Sequence, residues 1–352
     1  MHAVTRVGGR WLIVVAVTGA CAFMPGTATA GGWGSDGKSN GAKTETSGGQ
    51  SGTDIHSMVR FSGSAQDSGG GRKGNVTPVS DWTPPACWYE PRTAADFQKY
   101  VEDMYTETVN YPGQHSYAKT AVGQFRDMYK DGKYKDYNLK EADEGTWWVA
   151  VQDPDRWMEP AAQRCNEMPF WVVNGDTPNV PNAVTPRVLA ELAYSRLRLP
   201  ETEVTLAPKN VTKVNLPTWA WLDKAKFKPA DVTAQINVGG LHIQATTIAK
   251  PVALRLEAGT DDAETYPASG ECLINDDGSI GEPWARGKSE RTPPCGLKYL
   301  RSSGEGTFQL KATVTWEISW TGTGSPGPTP LPDGTFGTTQ DVTVQEIQSV
   351  NR

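Results

Sequence analysis

The alternation of apolar and polar residues in segment 310–320 constrains the fold of this chain most. Every second side chain in it is apolar: Leu310, Ala312, Val314, Trp316, Ile318 and Trp320. The intervening side chains are polar: Lys311, Thr313, Thr315, Glu317 and Ser319. Because successive side chains of a strand point to opposite faces, this pattern predicts a long antiparallel strand with one buried face and one solvated face.

Three further segments after residue 201 show the same twofold period. Apolar residues alternate from Val232 to Val238 and from Val252 to Leu256, and Val342 begins a last strand. Clusters of Gly, Pro and Asp separate these segments, as is typical of the turns of all-β domains. We therefore predict that residues 201–352 form an immunoglobulin-like antiparallel β-sandwich domain.

Residues 81–200 follow a helical period instead. Apolar residues recur at helical spacing in segments 97–105 and 118–129. Thr93 and Thr185 stand where helix N-caps are expected, and a proline follows Thr185 at the first helical position. Two short runs are rich in strand-forming residues: 147–151 and 170–173. We predict a small mixed α/β domain here, which places the whole chain in the α+β class.

Residues 1–30 have the pattern of a cleavable secretory signal peptide. Arg6 and Arg10 make a positive start, segment 11–24 is apolar, and Ala28-Thr29-Ala30 matches a cleavage site. The apolar segment is shorter than the about 20 residues that cross a bilayer. No later stretch reaches that length, so we expect a mature chain without a transmembrane segment, secreted or associated with the cell wall.

Residues 31–80 are rich in Gly and Ser, and their few apolar residues show no period. Such a composition buries too little surface to offset the loss of chain entropy, so we predict a disordered tether. An alternative interpretation of the preceding segment makes Cys21 a lipid-modified cysteine instead of a residue removed with the signal peptide.

Four cysteines remain after cleavage: Cys87, Cys165, Cys272 and Cys295. An even number of cysteines in an exported chain is typical of disulfides, and four allow three pairings. The predicted domain layout favours local pairing, Cys87 with Cys165 and Cys272 with Cys295. No CxxC spacing occurs, which argues against a zinc site or a thioredoxin-like site.

Several segments resemble one family of exported actinobacterial, Streptomyces-like proteins of unknown function. The similar segments are Leu189–Tyr194, Val214–Leu222, Pro294–Gly296, Tyr299 with Ser302-Ser303, Ala312–Trp316 and Glu346–Asn351. The resemblance covers most of the chain from about residue 81. It implies export from a high-GC Gram-positive cell, and it carries no catalytic residue over to this sequence.

Segment Gly32–Ser39 matches the phosphate-loop pattern G-x-x-x-x-G-K-[ST]. Some proteins of the family just described are labelled ATP/GTP-binding. A phosphate loop needs a strand before it and a helix after it, so that backbone amides surround the phosphates. Here a signal peptide precedes the segment and a Gly/Ser tether follows it. We interpret the match as chance and predict no cofactor.

The chain contains 13 tryptophans, and some of them occur as close pairs. Trp147 and Trp148 are adjacent, while Trp219 and Trp221 are separated by one residue. Adjacent residues of a strand face opposite ways, so one of Trp147 and Trp148 is expected to be exposed or to lie between domains. These four residues form our predicted aromatic binding surface; core packing is the alternative.

Sequence motifs for catalysis are scarce. Outside residues 1–80 only His115 and His242 occur, and there is no H-E-x-x-H or G-x-S-x-G motif. We interpret the acidic runs 261–264 and 275–278 as solvated turns rather than a catalytic pair. The net charge of −6 argues against nucleic-acid binding.

These observations favour an exported, non-enzymatic cell-envelope or extracellular protein that binds a ligand or has a structural role. A cell-wall glycan and an envelope protein are the two candidate partners. The alternatives are a secreted hydrolase acting on a cell-wall polymer and an ATP/GTP-binding protein.

Overall fold

A long antiparallel sheet, a smaller layer with two helices, and a third set of short strands build the fold. The computed structural model describes residues 57–65, 73–222 and 227–347. Within these ranges the α-helices are α1 (Ala94–Asn110), α2 (Ser116–Lys130) and α3 (Pro186–Ser195). Two 3-10 segments span Lys135–Glu141 and Pro160–Arg164.

The strands are mostly short in the first part of the described chain and long in the second. The first nine are β1 (Arg60–Ser62), β2 (Lys73–Asn75), β3 (Thr77–Pro78), β4 (Cys87–Arg92), β5 (Gly145–Gln152), β6 (Phe170–Val173), β7 (Arg198–Pro200), β8 (Thr205–Ala207) and β9 (Val211–Lys213). The others are β10 (Thr218–Leu222), β11 (Ala230–Val238), β12 (Leu241–Glu257), β13 (Ala263–Tyr266), β14 (Glu271–Leu273), β15 (Ile280–Gly281), β16 (Gly296–Tyr299), β17 (Phe308–Gly322), β18 (Thr329–Pro330) and β19 (Gly334–Gln345).

The main sheet has the strand order β1-β11-β12-β17-β19-β3. The fold is therefore mostly β, and this sheet is antiparallel and curled. Between β12 and β17, Pro251 lies opposite Trp316 and Ala253 lies opposite Thr315, so Val252 is an extra residue. Because a bulge of one residue shifts the side-chain alternation, Leu254 after the bulge faces the same core as Pro251 before it.

The predicted buried face of segment 310–320 is confirmed, since its six apolar side chains are between 0 and 8 % exposed. Val232, Ala234, Ile236 and Val238 of β11 are buried on the same sheet. Val342 and Val344 are buried as well, but their strand begins eight residues earlier, at Gly334.

Helix α3 packs against the middle strands of the main sheet. The hydroxyl of Thr247 in β12 donates a hydrogen bond to the carbonyl oxygen of Ala190, at 2.8 Å. The helix begins as predicted, because the Thr185 hydroxyl accepts from the backbone N–H of Val188 at 3.2 Å. Since α3 belongs to the same core as β11, β12 and β17, the boundary predicted at residue 200 does not separate two packing units.

The predicted tether is wrong for residues 57–65 and 73–80. Strand β1 pairs with β11 at one edge of the main sheet, and β3 pairs with β19 at the other edge. Strand β2 pairs with β7. These residues gain backbone hydrogen bonds from existing strands, which their composition alone does not reveal. The other residues of the predicted tether and the signal pattern lie outside the described residues.

The second layer is a three-stranded sheet, β4-β5-β6, covered on one face by α1, with Tyr129 of α2 packed against Trp147 of β5. Phe97 of α1 stacks on Trp147 of β5 with ring centroids 4.4 Å apart. Both predicted disulfides are present: Cys87–Cys165 and Cys272–Cys295. Among the described residues, no helix is long and apolar enough to cross a membrane.

Candidate binding cleft

A cleft of about 420 Å³ lies beside the Cys272–Cys295 disulfide. Its walls combine two proline rings and the disulfide with a few polar side chains. The lining residues are Pro267, Ser269, Glu271, Cys272, Leu273, Asn275, Gly281, Pro294 and Cys295. A cleft of this size suits a small ligand or one unit of a polymer.

Two short strands and the disulfide hold the walls in place. Cys272 in β14 lies opposite Leu254 of β12, and β15 pairs with β10. Gly281 in β15 has φ +73°, and a Cβ there would collide with the carbonyl oxygen of Ala220. Only glycine fits this backbone conformation. Because Gly281 has no side chain, the loop can pass close to Ala220 and Cys295.

The cleft is lined by apolar groups together with a few hydrogen-bond acceptors. Leu273 is 70 % exposed, although it is a large apolar side chain at the wall. Glu271 is the one charged residue among the nine that line the cleft. Asn275 uses its amide N–H groups within the loop, on the Ser279 hydroxyl at 3.0 Å and the Gly281 carbonyl at 2.8 Å. Its amide oxygen and the Glu271 carboxylate can therefore accept hydrogen bonds from a ligand.

An exposed indole follows the cleft along the chain. Trp284 is 44 % exposed and lies three residues after Gly281. The loop that carries it is held by Lys288, whose ammonium pairs with Glu282 at 2.6 Å and donates to the Pro283 carbonyl at 2.7 Å. The same ammonium also makes a cation–π contact with Trp219, at 5.4 Å from the ring centroid.

The aromatic surface predicted from the tryptophan pairs does not form. Trp147, Trp148 and Trp219 are at most 4 % exposed, and only Trp221 of the four is half-buried. The sequence predicted that one of the adjacent pair is exposed or lies between domains. Neither of the two is exposed, because both faces of β5 are covered. Trp147 packs against Phe97, while Thr146, on the other face with Trp148, lies against the turn at Gly239.

Sequence reasoning missed the exposed indoles of Trp284 and Trp157, which are 44 % and 42 % exposed. Both lie outside helices and strands. Trp284 directly follows Pro283 between two glycines, Gly281 and Gly287, and that setting was the available signal of a loop.

A second polar cluster surrounds Glu102 on α1. The carboxylate accepts from Arg126 at 2.7 Å, from Lys130 at 3.3 Å and from the Tyr137 hydroxyl at 2.7 Å. Burial raises the pKa of this carboxyl, but the hydrogen bonds from Arg126, Tyr137 and Lys130 outweigh it and lower the pKa to about 2. Glu102 is therefore ionised at neutral pH, where it acts as an ion-pair partner rather than a proton donor.

Tyr137 belongs to a run of three left-handed residues, with φ 47° at Asp136, 58° at Tyr137 and 59° at Asn138. The Tyr137 ring is fully buried, and its carbonyl accepts from the Trp147 indole N–H at 2.8 Å. A tyrosine rarely adopts this conformation, so the ring and carbonyl contacts hold the backbone there.

Both histidines and the first acidic run lie outside the cleft lining, whereas Asn275 of the second run is part of it. His115 precedes α2 and stacks on Tyr117, while His242 contacts Asn237. Asp262 in the first acidic run pairs with Arg301 at 2.5 Å. In the part of the chain that the structure describes, no group of three or more His, Cys, Asp or Glu residues could hold a metal ion. Segment 32–39, with the phosphate-loop pattern, lies outside the described residues.

Comparison of the chain with protein-family models, with curated proteins and with solved structures gave no match.

Proposed function

We propose that this chain is an exported binding protein that recognises a cell-wall glycan through the cleft beside Cys272–Cys295. The observation that carries the proposal is Leu273, which is 70 % exposed in the wall of a cleft anchored by a disulfide. Leu273 shares this wall with Pro267 and Pro294, and exposed apolar residues that cluster in a groove mark ligand-binding sites. The two disulfides are compatible with an oxidising, extracellular location.

The chemistry of the cleft fits a sugar. A sugar ring has an apolar face that packs on Leu273, Pro267 or an indole such as Trp284, and its hydroxyls donate to acceptors such as Glu271. An envelope protein is the second candidate partner, because an exposed leucine and an exposed tryptophan also suit a protein interface. Hydrolysis of a cell-wall polymer and nucleotide binding are the other functions that the experiment below separates.

The resemblance to exported actinobacterial proteins supports an envelope location within this proposal. We also propose that residues 201–352 are an immunoglobulin-like sandwich. Strands β13, β16, β10 and β15 form a second antiparallel sheet, and Cys272–Cys295 connects β14 of the main sheet to the segment just before β16, which supports this assignment.

Sedimentation of the mature chain with insoluble peptidoglycan tests the glycan proposal. We expect at least tenfold weaker binding for Leu273→Ser and Glu271→Gln, because each removes one of the contacts argued above. Leu300→Ser is the matched control, since Leu300 is 42 % exposed and outside the cleft lining. Equal binding by all variants would reject the cleft as the site. Release of soluble sugar would favour the hydrolase, and nucleotide titration tests the remaining alternative.

A further inference from the structure

Strand β6 leaves one edge of the three-stranded sheet open. It pairs with β5 on one side, and no strand in residues 57–65, 73–222 or 227–347 pairs with its other side. The opposite edge of the sheet, at β4, is occupied by segment 182–184. On the outer side of β4, the Tyr89 N–H donates to the carbonyl of Asn182 at 3.0 Å, and the Tyr89 carbonyl accepts from Val184 at 2.9 Å.

The backbone groups on the open side belong to Trp171 and Val173. Asn174 donates its N–H at 2.8 Å to the carbonyl of Glu144, the residue just before β5. In this register the even-numbered residues of β6 direct their backbone groups to β5, and the odd-numbered ones direct theirs away. Strand β5 alternates in the matching way. The Asp153 N–H donates at 2.9 Å to the carbonyl of Ala86, the residue before β4, so the odd-numbered residues of β5 point to β4 and the even-numbered ones point to β6. Trp171 thus directs both its N–H and its C=O to the open edge.

This edge lacks one common protection against strand pairing, a charged side chain, although β6 is only four residues long and follows Pro169. Segment 169–173 contains no charged residue, whereas natural edge strands commonly carry lysine or another charge. Val173 and Met168 are 51 % and 49 % exposed, and Phe170, Trp171 and Val172 are partly exposed. The segment therefore offers apolar side chains together with the N–H and C=O of Trp171 and the N–H of Val173.

We propose that β6 pairs with β6 of a second copy of this chain, antiparallel, with Trp171 opposite its own equivalent. This inference does not depend on the glycan proposal. In this register the two Trp171 residues exchange both backbone hydrogen bonds, and each Val173 N–H meets the Pro169 carbonyl of the other copy. Pro169 has no N–H, and the Val173 carbonyl already accepts from Asp176 within its own chain at 3.0 Å. The Pro169 carbonyl accepts from the Tyr129 hydroxyl of its own chain at 3.0 Å, and its second lone pair is the one that Val173 of the other copy would use, so the pattern is self-complementary.

The charges that flank the strand are compatible with this register. Glu167 falls opposite Gly175 of the second copy, and Asp176 falls opposite Asn166, so no carboxylate lies directly opposite another. A two-fold interface of this kind is closed, which ends assembly at the dimer. The paired segment is short, so we expect a weak dimer with a dissociation constant on the order of 10–100 μM.

Analytical ultracentrifugation of the mature chain tests this at concentrations from about 1 μM to about 500 μM, a range that brackets the expected constant. We expect a reversible monomer–dimer equilibrium, weakened at least tenfold by Val173→Lys, which adds a charge to the edge, and by Val173→Pro, which removes its N–H. Val211→Lys in β9 is the matched control, because Val211 is a 45 % exposed strand valine elsewhere in the fold.

Hydrogen exchange distinguishes the edge from any other contact. The amides of Trp171 and Val173 are expected to gain protection as the protein concentration rises, and near-ultraviolet circular dichroism verifies that each variant is folded. A monomer throughout the range would overturn the proposal. A dimer that Val173→Lys and Val211→Lys weaken equally, or that leaves these two amides unprotected, would also overturn it.

Discussion

Glu102 shows how single side chains tie the two helices of the second layer together. It lies on α1, and its carboxylate accepts from Arg126 and Lys130 on α2 and from Tyr137 in the following 3-10 segment. The pKa of Glu102 in the folded chain is about 2, below its ordinary value of 4.5. A depressed carboxyl pKa stabilises the fold above the ordinary pKa, and this stabilisation is lost as the pH falls from about 4.5 to about 2.

Glu102→Gln is therefore expected to destabilise the chain in a pH-dependent way. The side chain is 30 % exposed, so solvent screens the network and we expect a loss of about 1 kcal/mol at pH 7. The difference from the parent chain should shrink through the interval from pH 4.5 to 2, as urea unfolding at several pH values would show.

Asp103→Asn on the same helix is the control for the Glu102 substitution. Asp103 is 40 % exposed and pairs with the exposed Lys99 on the same helix. Its loss should change the unfolding free energy by less than about 0.5 kcal/mol. A constant deficit for Glu102→Gln down to pH 2 would show that its charge is not what stabilises the helices.

The sequence predicts some single-residue features and misses others. The Thr93 cap is confirmed, because its hydroxyl accepts from the Asp96 N–H at 3.0 Å, and that contact lies within one turn. The left-handed run at residues 136–138 was missed. Asp and Asn tolerate that conformation, but the central Tyr137 adopts it because distant groups, Glu102 and Trp147, hold its hydroxyl and carbonyl.

At the scale of elements, segment 57–80 supplies both edge strands of the main sheet. Glu90 in β4 anchors the start of this segment. The carboxylate is fully buried and accepts from Ser57 at 2.9 Å, Met58 N–H at 2.7 Å, the Trp88 indole at 3.1 Å and Arg92 at 2.6 Å. Four donors satisfy both oxygens, which is what allows a carboxylate to stay buried.

Glu90→Gln is expected to loosen this segment. Each carboxylate oxygen of Glu90 accepts from two donors, so the NH2 group that replaces one oxygen would face two donors instead of accepting from them. Arg92 would also lose its carboxylate partner. We expect the free energy of unfolding to fall by about 3 kcal/mol. Limited proteolysis should then cut the chain between residues 57 and 65 faster than in the parent.

Glu264→Gln provides the comparison, since it breaks a pair in which the Glu264 side chain is 51 % exposed. That variant should keep the parent cleavage rate, because an exposed pair contributes little. Equal protection of residues 57–65 in the parent and in Glu90→Gln would mean that strand pairing alone holds β1.

Long strands with strong alternation were predictable, and short edge strands were not. The six inward side chains of segment 310–320 identify β17 from sequence because that face is wholly apolar. Strands β1 and β3 have three and two residues and form only because β11 and β19 present open edges. The first half of β19 was missed for a related reason: its residues between Thr335 and Gln340 are half-exposed or exposed on both faces, so no period appears.

At the scale of the whole molecule, the described residues belong to one compact unit. A change of sequence period near residue 200 predicted a domain boundary, but periodicity reports the local element and not its packing partner. The cleft was predictable only in part. The sequence indicated the Cys272–Cys295 bridge and the turn at 275–278, whereas the position of Leu273 and Glu271 depends on how β14 pairs with β12.

Replacing each disulfide in turn is expected to distinguish the stability of the whole fold from the local order of the cleft. Replacing Cys272 and Cys295 by Ser opens a loop of sequence separation 23, and replacing Cys87 and Cys165 opens one of 78. On the chain-entropy model these losses are about 3 and about 4.5 kcal/mol. Neither pair should abolish the fold, because the buried face of β17 and α3 remains.

Calorimetry should show a melting temperature lowered by about 5–10 °C for the Cys272/Cys295 variant, and by more for the Cys87/Cys165 variant. The local order of the cleft should instead depend more on the Cys272–Cys295 disulfide than on Cys87–Cys165. Hydrogen exchange at segment 267–281 should rise sharply when Cys272 and Cys295 are replaced, because the disulfide forms part of the cleft wall, and should be nearly unchanged when Cys87 and Cys165 are replaced. If both variants expose segment 267–281 equally, the cleft is held by the stability of the whole unit and the disulfide beside it has no local role.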